Sequence, residues 1–182
     1  MYEVEVKVRA THDPVRDRLG SLGATHERTV EQVDTYYDAP DRDFAATDEA
    51  LRIRRETVVS DDGERRALVT YKGPLVDEAS KTREEHETAV ADDEELAGVL
   101  DGLGYAPAAT VEKRREQYAL DGLTVVLDRV TDLGEFVEVE VESEDVDAAR
   151  EAVFACLDRL GLDPDEQIRT SYLGMLLADS PQ

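Results

Sequence analysis

The sequence predicts an α+β fold in which eight antiparallel strands close into a β-barrel with helices packed outside. Three observations predict it. Runs of apolar and polar alternation recur along the chain, each long enough for a two-faced strand. Only three or four segments carry helical spacing. The polar faces of the strands also pair acids with bases in a repeated way, which an open sheet facing water would not need. A barrel of eight strands is wide enough inside for side chains or one small ligand, and closing it removes both sheet edges. At 182 residues, 41% of them hydrophobic, the chain is the size of one domain, placed at 1–178 with a frayed end at 179–182.

The elements follow in order. Residues 2–9 set Val4, Val6 and Val8 on one face and Glu3, Glu5, Lys7 and Arg9 on the other. Asp13 and Pro14 form an N-cap and first-turn pair; Val15, Leu19 and Leu22 then recur at helical spacing until Gly23 ends the helix. Strands follow at 26–38, 50–58, 65–72 and 82–90, with Asp61-Asp62-Gly63 turning the chain between the second and third of these. Glu94–Leu103 predicts a short helix with Leu96, Val99, Leu100 and Leu103 inward. Three more strands, 108–119, 123–131 and 135–142, include an Asp121-Gly122 turn. A helix over 145–160 buries Val146, Ala149, Val153, Cys156, Leu157 and Leu160, which makes Cys156 a core residue. Thr170–Ala178 predicts a last short helix, and Ser180-Pro181-Gln182 frays.

Composition removes several function classes. Forty-four acids against 21 bases give a formal charge of −23, which disfavours nucleic acid and anionic lipid as partners. No apolar stretch is long enough to span a membrane, and Met1 leads into a charged alternating run, so the expected location is the cytoplasm. One cysteine excludes an internal disulfide and a cysteine-based zinc cluster. Acids spread along the whole length, with only four lysines among the bases, point to a halophilic protein. Clean apolar periodicity argues against acidic disorder.

If the ionic rows face inward, the lumen is a site. Glu3, Glu5 and Lys7 come from the first strand, Arg52 and Arg54 from the third, and Lys72 from the fourth. Arg83, Glu85 and Glu87 follow on the fifth, then Lys113 and Arg115, Asp128, and Glu138 and Glu140 on the last. Every strand but the second contributes charge. Acids there would hold Mg2+ or Mn2+ through hard oxygen ligands, while arginines and lysines would neutralise and orient phosphate oxygens. Buried charges without partners cost several kcal/mol each, so such a lumen should face a small polyanionic substrate and be wet when empty. Three of the four lysines, Lys7, Lys72 and Lys113, fall on these faces, where a compact ammonium serves as a point-charge phosphate ligand.

These residues also carry a resemblance. Glu3-x-Glu5-x-Lys7, Gln32-Val33-Asp34-Thr35-Tyr36-Tyr37-Asp38, Leu51-Arg52-Ile53-Arg54 and Tyr71-Lys72-Gly73 come first. Lys113-Arg114-Arg115, Leu127-Asp128 and Gly134-Glu135-Phe136-Val137-Glu138-Val139-Glu140 complete the series, which resembles, in this order and over essentially the whole chain, the CYTH or triphosphate tunnel metalloenzyme superfamily. The resemblance implies an eight-stranded triphosphate tunnel and a divalent-metal-dependent reaction on ATP or another phosphoanhydride. The Asp-Thr-Tyr-Tyr-Asp stretch and Ser171-Tyr172 look most like the class IV adenylate cyclase branch, in which homodimers are common and ATP becomes cyclic AMP and pyrophosphate. Glu3, Glu5, Glu138 and Glu140 match the family's metal-binding acids, with Asp128, Glu85 and Glu87 as further candidates. Lys7, Lys72 and Lys113 match catalytic lysines, and Arg52, Arg54, Arg115 and the weaker Arg83 match phosphate ligands.

Bland readings stand beside these. His12, His26 and His86 are expected at the surface, and Arg114 should face outward if Arg115 faces inward. One of Tyr36 and Tyr37 faces the lumen. Three functions remain open: an adenylate cyclase, a triphosphatase using the same metal chemistry on inorganic triphosphate, thiamine triphosphate or nucleotides, and a non-catalytic polyphosphate- or nucleotide-binding module.

Overall fold

The computed structural model describes residues 1–60, 62–77 and 79–179. Nine strands form one antiparallel sheet: β1 (Tyr2–Arg9), β2 (Thr25–Asp38), β3 (Ala50–Val58), β4 (Arg65–Lys72), β5 (Lys81–Arg83), β6 (Glu85–Val90), β7 (Ala106–Leu120), β8 (Leu123–Val130) and β9 (Gly134–Ser143). The helices are α1 (His12–Ser21), α2 (Phe44–Thr47), α3 (Asp93–Gly102), α4 (Val146–Arg159) and α5 (Tyr172–Asp179), with a 3-10 turn at Pro164–Glu166.

The difference between eight expected strands and nine observed ones lies at one residue. The run expected as a single strand over 82–90 is broken at Glu84 into β5 and β6. Sheet order is β5-β1-β9-β8-β7-β2-β3-β4-β6, so two consecutive pieces of chain occupy its two ends. β5 pairs with β1, setting Glu3 opposite Arg83 and Glu5 opposite Lys81. β6 pairs with β4, setting Lys72 opposite Glu85 and Thr70 opposite Glu87. Glu84 joins these pairings and accepts the Gly73 N–H at 2.9 Å, so the barrel is nearly closed by one short stretch. Beyond Lys81 the wall is continued by another segment: Ile168 N–H donates to Lys7 O at 2.7 Å, and the Gln167 amide donates to Ala79 O.

Period-2 alternation decides what faces out. Val4, Val6 and Val8 pack with Val125, Leu127, Val137 and Val139 against Val15 and Leu19 of α1 and Val153, Cys156 and Leu157 of α4. Asp145 caps α4, accepting the Ala148 N–H at 3.0 Å. Between β7 and β8 the chain turns on Asp121 and Gly122, both with positive φ, 52° and 81°, the type I′ geometry that suits strand twist.

Several expectations are corrected. In α3 only Leu100 is buried, with Leu96 partly so; Val99 and Leu103 are 56% and 64% exposed, because this helix touches the barrel through one narrow contact with Tyr37, Ile53 and Leu51. His12 is buried, its Nε2 within 3.0 Å of Phe136 O, whereas His26 and His86 are exposed. α1 starts at His12, with Thr11 at the N-cap and Asp13 in the first turn. Asp179 ends α5 rather than fraying; 180–182 lie outside the described residues, as does Asp61 of the expected turn. No described helix is long and apolar enough to cross a membrane.

Leu157→Ala is expected to lower the unfolding free energy by about 3 kcal/mol, from lost burial and the cavity left behind. Leu103→Ala should change it by less than about 0.5 kcal/mol. Urea titrations of the two variants beside the parent protein check the contrast.

Candidate active site

The barrel encloses a cavity of about 1340 Å³. Of the residues expected to form a site, Glu3, Glu5, Lys7, Arg52, Arg54, Lys72, Arg83, Glu85, Glu87, Lys113, Arg115, Glu138 and Glu140 line it; Asp128 does not. Arg114 points outward and is exposed. Lys81 lines the cavity too, so all four lysines of the chain face it, one more than expected.

The second strand was expected to contribute no charge, and the structure corrects this. Asp34 of β2 is fully buried on the lumen face and is the hub of the basic side. Its carboxylate takes both Arg54 Nε and Nη2 at 2.7 Å, with Arg52 Nη1 at 3.4 Å and Lys113 Nζ at 3.7 Å. The register explains the convergence: Asp34 lies opposite Arg54 on β3 and Val111 on β7, beside Arg52 and Lys113. Although burial alone would raise it, the Asp34 carboxyl is held far below the usual range by Arg52, Arg54 and Lys113. Burial, with Arg115 and Arg54 alongside, brings the Lys113 ammonium down to about 7.

A second knot joins β7, β8, β9 and α5. Arg115 makes a fork with Asp128, 2.8 and 2.6 Å, and also reaches Glu138 at 2.8 Å. Tyr172 of α5 donates to Asp128 at 2.9 Å. Both carboxylate oxygens of Asp128 are therefore engaged, which fits an anchor for Arg115 better than a metal ligand. The ring of Tyr172 packs edge-on against Phe136 and lies 4.2 Å below Lys7 Nζ and 5.2 Å below Lys113 Nζ. Val111, Val130 and Phe136 close round Tyr172, making this part of the lumen apolar. Lys7, 2% exposed, keeps Glu138 at 4.0 Å.

The acidic side gathers on β1 and β9. Carboxylate oxygens of Glu3, Glu5 and Glu140 lie within 4.8 Å of one another, with Glu5 directly opposite Glu140 in the β1–β9 ladder. Burial, then the charge of Glu3, pushes the Glu140 carboxyl up to about 8. Crowded carboxylates that hold a proton at neutral pH are the donor set a hard divalent cation relieves. Glu138 is drawn away from this trio by Arg115 and Lys7.

The remaining candidates are tied to neighbours. Lys72 bridges Glu3 at 3.0 Å and Glu85 at 2.5 Å. Glu87 accepts from Thr70 at 2.8 Å and sits 3.9 Å from Arg52. Arg83 donates to the Asp48 carbonyl at 2.6 Å and carboxylate at 3.1 Å, fastening the loop that carries α2. Tyr36 is the lumen-side member of its pair, its hydroxyl 3.5 Å from Arg52 Nη1; Tyr37 packs with Ile53 and Leu100. Asp34 shares a face with Gln32 and Tyr36, but parity alone does not say which face of β2 is inward. Nothing in the sequence placed Tyr172 over the lysines.

Asp34→Asn is expected to destabilise the protein by about 3 kcal/mol in phosphate-free buffer, because Arg52, Arg54 and Lys113 lose their shared counter-charge. Adding tripolyphosphate should recover part of that loss. Thermal unfolding of parent and variant, with and without the anion, checks both statements.

Comparison with known proteins agrees with this architecture. The model of the CYTH domain matches residues 1–172. A Methanocaldococcus jannaschii protein that carries a provisional adenylate cyclase name is 38% identical over 177 residues, 95% of this chain and 97% of its own. A solved structure of a Pyrococcus horikoshii OT3 protein superposes with a TM-score of 0.88 at 38% identity, covering 98% of this chain and 99% of the other. A more distant fold neighbour from Hippeastrum, TM-score 0.69 and 16% identity over 100% of this chain and 97% of its own, carries a provisional adenylyl cyclase name and is described as having a dominant triphosphatase activity. With the family's domain matched across nearly its whole length, and a tunnel of facing acids and cations inside it, this chain belongs to the CYTH domain family.

Proposed function

We propose that the protein is a divalent-metal-dependent enzyme acting on ATP, of the class IV adenylate cyclase type, releasing cyclic AMP and pyrophosphate. One observation carries the metal-triphosphate part of this reading: a trio of crowded carboxylates shares a single lumen with a lattice of buried arginines and lysines. The provisional name of the 38% identical relative supports the cyclase part.

Glu3, Glu5 and Glu140 would hold Mg2+ or Mn2+, which when bound offsets phosphate charge and polarises the phosphoanhydride. Around it, Arg52, Arg54, Lys113 and Arg115 would take phosphate oxygens, their planes and heads preset by Asp34 and Asp128. Lys7 and Lys72 would spread the charge growing on the departing pyrophosphate. Arg83 acts through the loop it fastens unless it leaves Asp48. Positioning and electrostatics do most of such chemistry, and the tunnel supplies both. In the cyclase reading the ribose 3′-hydroxyl loses its proton to solvent as its oxygen attacks the α-phosphorus, and the bond from that phosphorus to the bridging oxygen breaks, releasing pyrophosphate. Hydrolysis of tripolyphosphate by water, which also expels pyrophosphate, would use the same leaving-group contacts, and the described activity of the Hippeastrum protein favours keeping it as a second reading.

In molar KCl with Mg2+ or Mn2+, the protein is expected to turn ATP into cyclic AMP and pyrophosphate, read by chromatography; orthophosphate would replace the cyclase with a triphosphatase, and unchanged ATP and tripolyphosphate would leave a binding module. Arg52→Ala and Lys113→Ala are each expected to cut turnover about 100-fold or more. Glu5→Ala should weaken metal activation instead, raising the metal concentration needed for half-maximal rate.

Metal binding should also be linked to pH. Metal-free Glu140 keeps its proton up to about pH 8, so binding at pH 7 should release about one proton, and affinity should rise with pH until about 8 and then level off. Calorimetry of Mg2+ or Mn2+ in two buffers of different ionisation enthalpy counts that proton.

A further inference from the structure

Gln32 lies on the lumen face of β2 and lines the cavity, 3% exposed. Its Nε2 donates to Glu56 Oε2 at 2.6 Å. Arg66 reaches the other oxygen of Glu56 at 2.7 Å, and Arg28 stands 3.6 Å away. Burial alone would raise the Glu56 carboxyl, but the Gln32 amide and Arg66 hold it below its usual range, so it is a carboxylate. A carboxylate only accepts hydrogen bonds. The Gln32 amide therefore cannot turn over, and its carbonyl Oε1 is fixed as an acceptor. That oxygen is buried and has no hydrogen-bond partner among the described residues. A buried acceptor left unpaired is costly, and the residue that carries it lines the cavity.

Its place in the barrel says which part of a ligand would meet it. Gln32 is two residues from Asp34 on the same face, one step of about 7 Å along the strand from the hub of the cations. It is also cross-strand from Lys113 on β7 and Glu56 on β3. A ribose spans a step of that order between an α-phosphate and a base. Arg28 and Arg66 line the same stretch of cavity, and their guanidinium groups offer planes on which a base can stack.

We infer that Gln32 reads the nucleoside end of the substrate, its Oε1 accepting a hydrogen bond from the exocyclic amine of adenine, with Glu56 as the positioning residue that fixes the amide. This deepens the nucleotide reading of the site and rests on it. A purine carrying oxygen in place of that amine would set one acceptor against another. Sites that leave a buried polar group unpaired with the wrong ligand reject it strongly.

The test compares ATP, inosine triphosphate and inorganic tripolyphosphate by calorimetry in molar KCl with EDTA, so that metal-dependent turnover is suppressed while binding is read. The full chain should bind ATP about tenfold or more tighter than inosine triphosphate, and Gln32→Met should cut the ratio to about threefold or less. Glu56→Gln, which frees the amide to turn, should also shrink the ratio; it keeps the test open should Gln32→Met fail to fold. Equal affinities for ATP and inosine triphosphate in the parent protein, or a ratio that survives in folded Gln32→Met, would overturn the inference. So would sensitivity to 2′- or 3′-deoxygenation of ATP in place of the amine, which would make a ribose hydroxyl the donor. If tripolyphosphate binds while ATP gains nothing over it, the nucleoside readout fails and the phosphate site stands. If neither binds in EDTA and neither is consumed once Mg2+ or Mn2+ is added, the proposed function fails with it.

Discussion

Compensation of charge inside a low-dielectric barrel is the constraint on which the rest of the structure depends. Lys7, Arg52, Arg54, Lys113 and Arg115 are all withdrawn from water, and isolated buried cations would each cost several kcal/mol. Glu138 answers Lys7, and Asp34 and Asp128 answer the other four; neither aspartate is exposed. The two aspartates are thus framework inside a site, fixing the directions of guanidinium and ammonium groups before any ligand arrives. The acids of β1 and β9 are arranged the other way. Glu3, Glu5 and Glu140 repel one another and have too few cations of their own, so the two sides of the tunnel differ in what they lack.

Alternation made much of this legible. A side-chain period of two assigns every residue of a strand to a face once one face is known, and the valines of β1 and β9 declare the outside. From that the inward rows of β1, β3, β7 and β9 follow, while helical spacing marks the core of α4. The break at Glu84 was not legible, because β5 and β6 are both extended and differ only in which neighbour they pair with. Pairing across a barrel seam is a tertiary fact.

Other residues were missed for other reasons. Asp34 stood in a strand rich in polar residues on both faces, where Glu31, Val33 and Thr35 alternate with Gln32, Asp34 and Tyr36 and no apolar row marks the outside. Lys81 precedes the expected start of its strand, so its face was undefined. His12 was judged by its place just before a helix, yet a buried carbonyl on β9 gives its ring a partner. In α3, helical spacing of Leu96, Val99, Leu100 and Leu103 marked an apolar stripe wider than the surface the barrel offers it.

The ladder partners of β1 have a kinetic meaning. Its eight residues are zipped to β9, more than 120 positions further along the chain, and to β5, while Lys7 O waits for Ile168. Topologies dominated by such distant partners fold slowly, since loop closure must precede any reward from contact. The earliest strand of this chain therefore spends the search for its native state with bare edges, and its alternating glutamates, which repel one another and other chains, are well suited to keep those edges from pairing wrongly in the meantime.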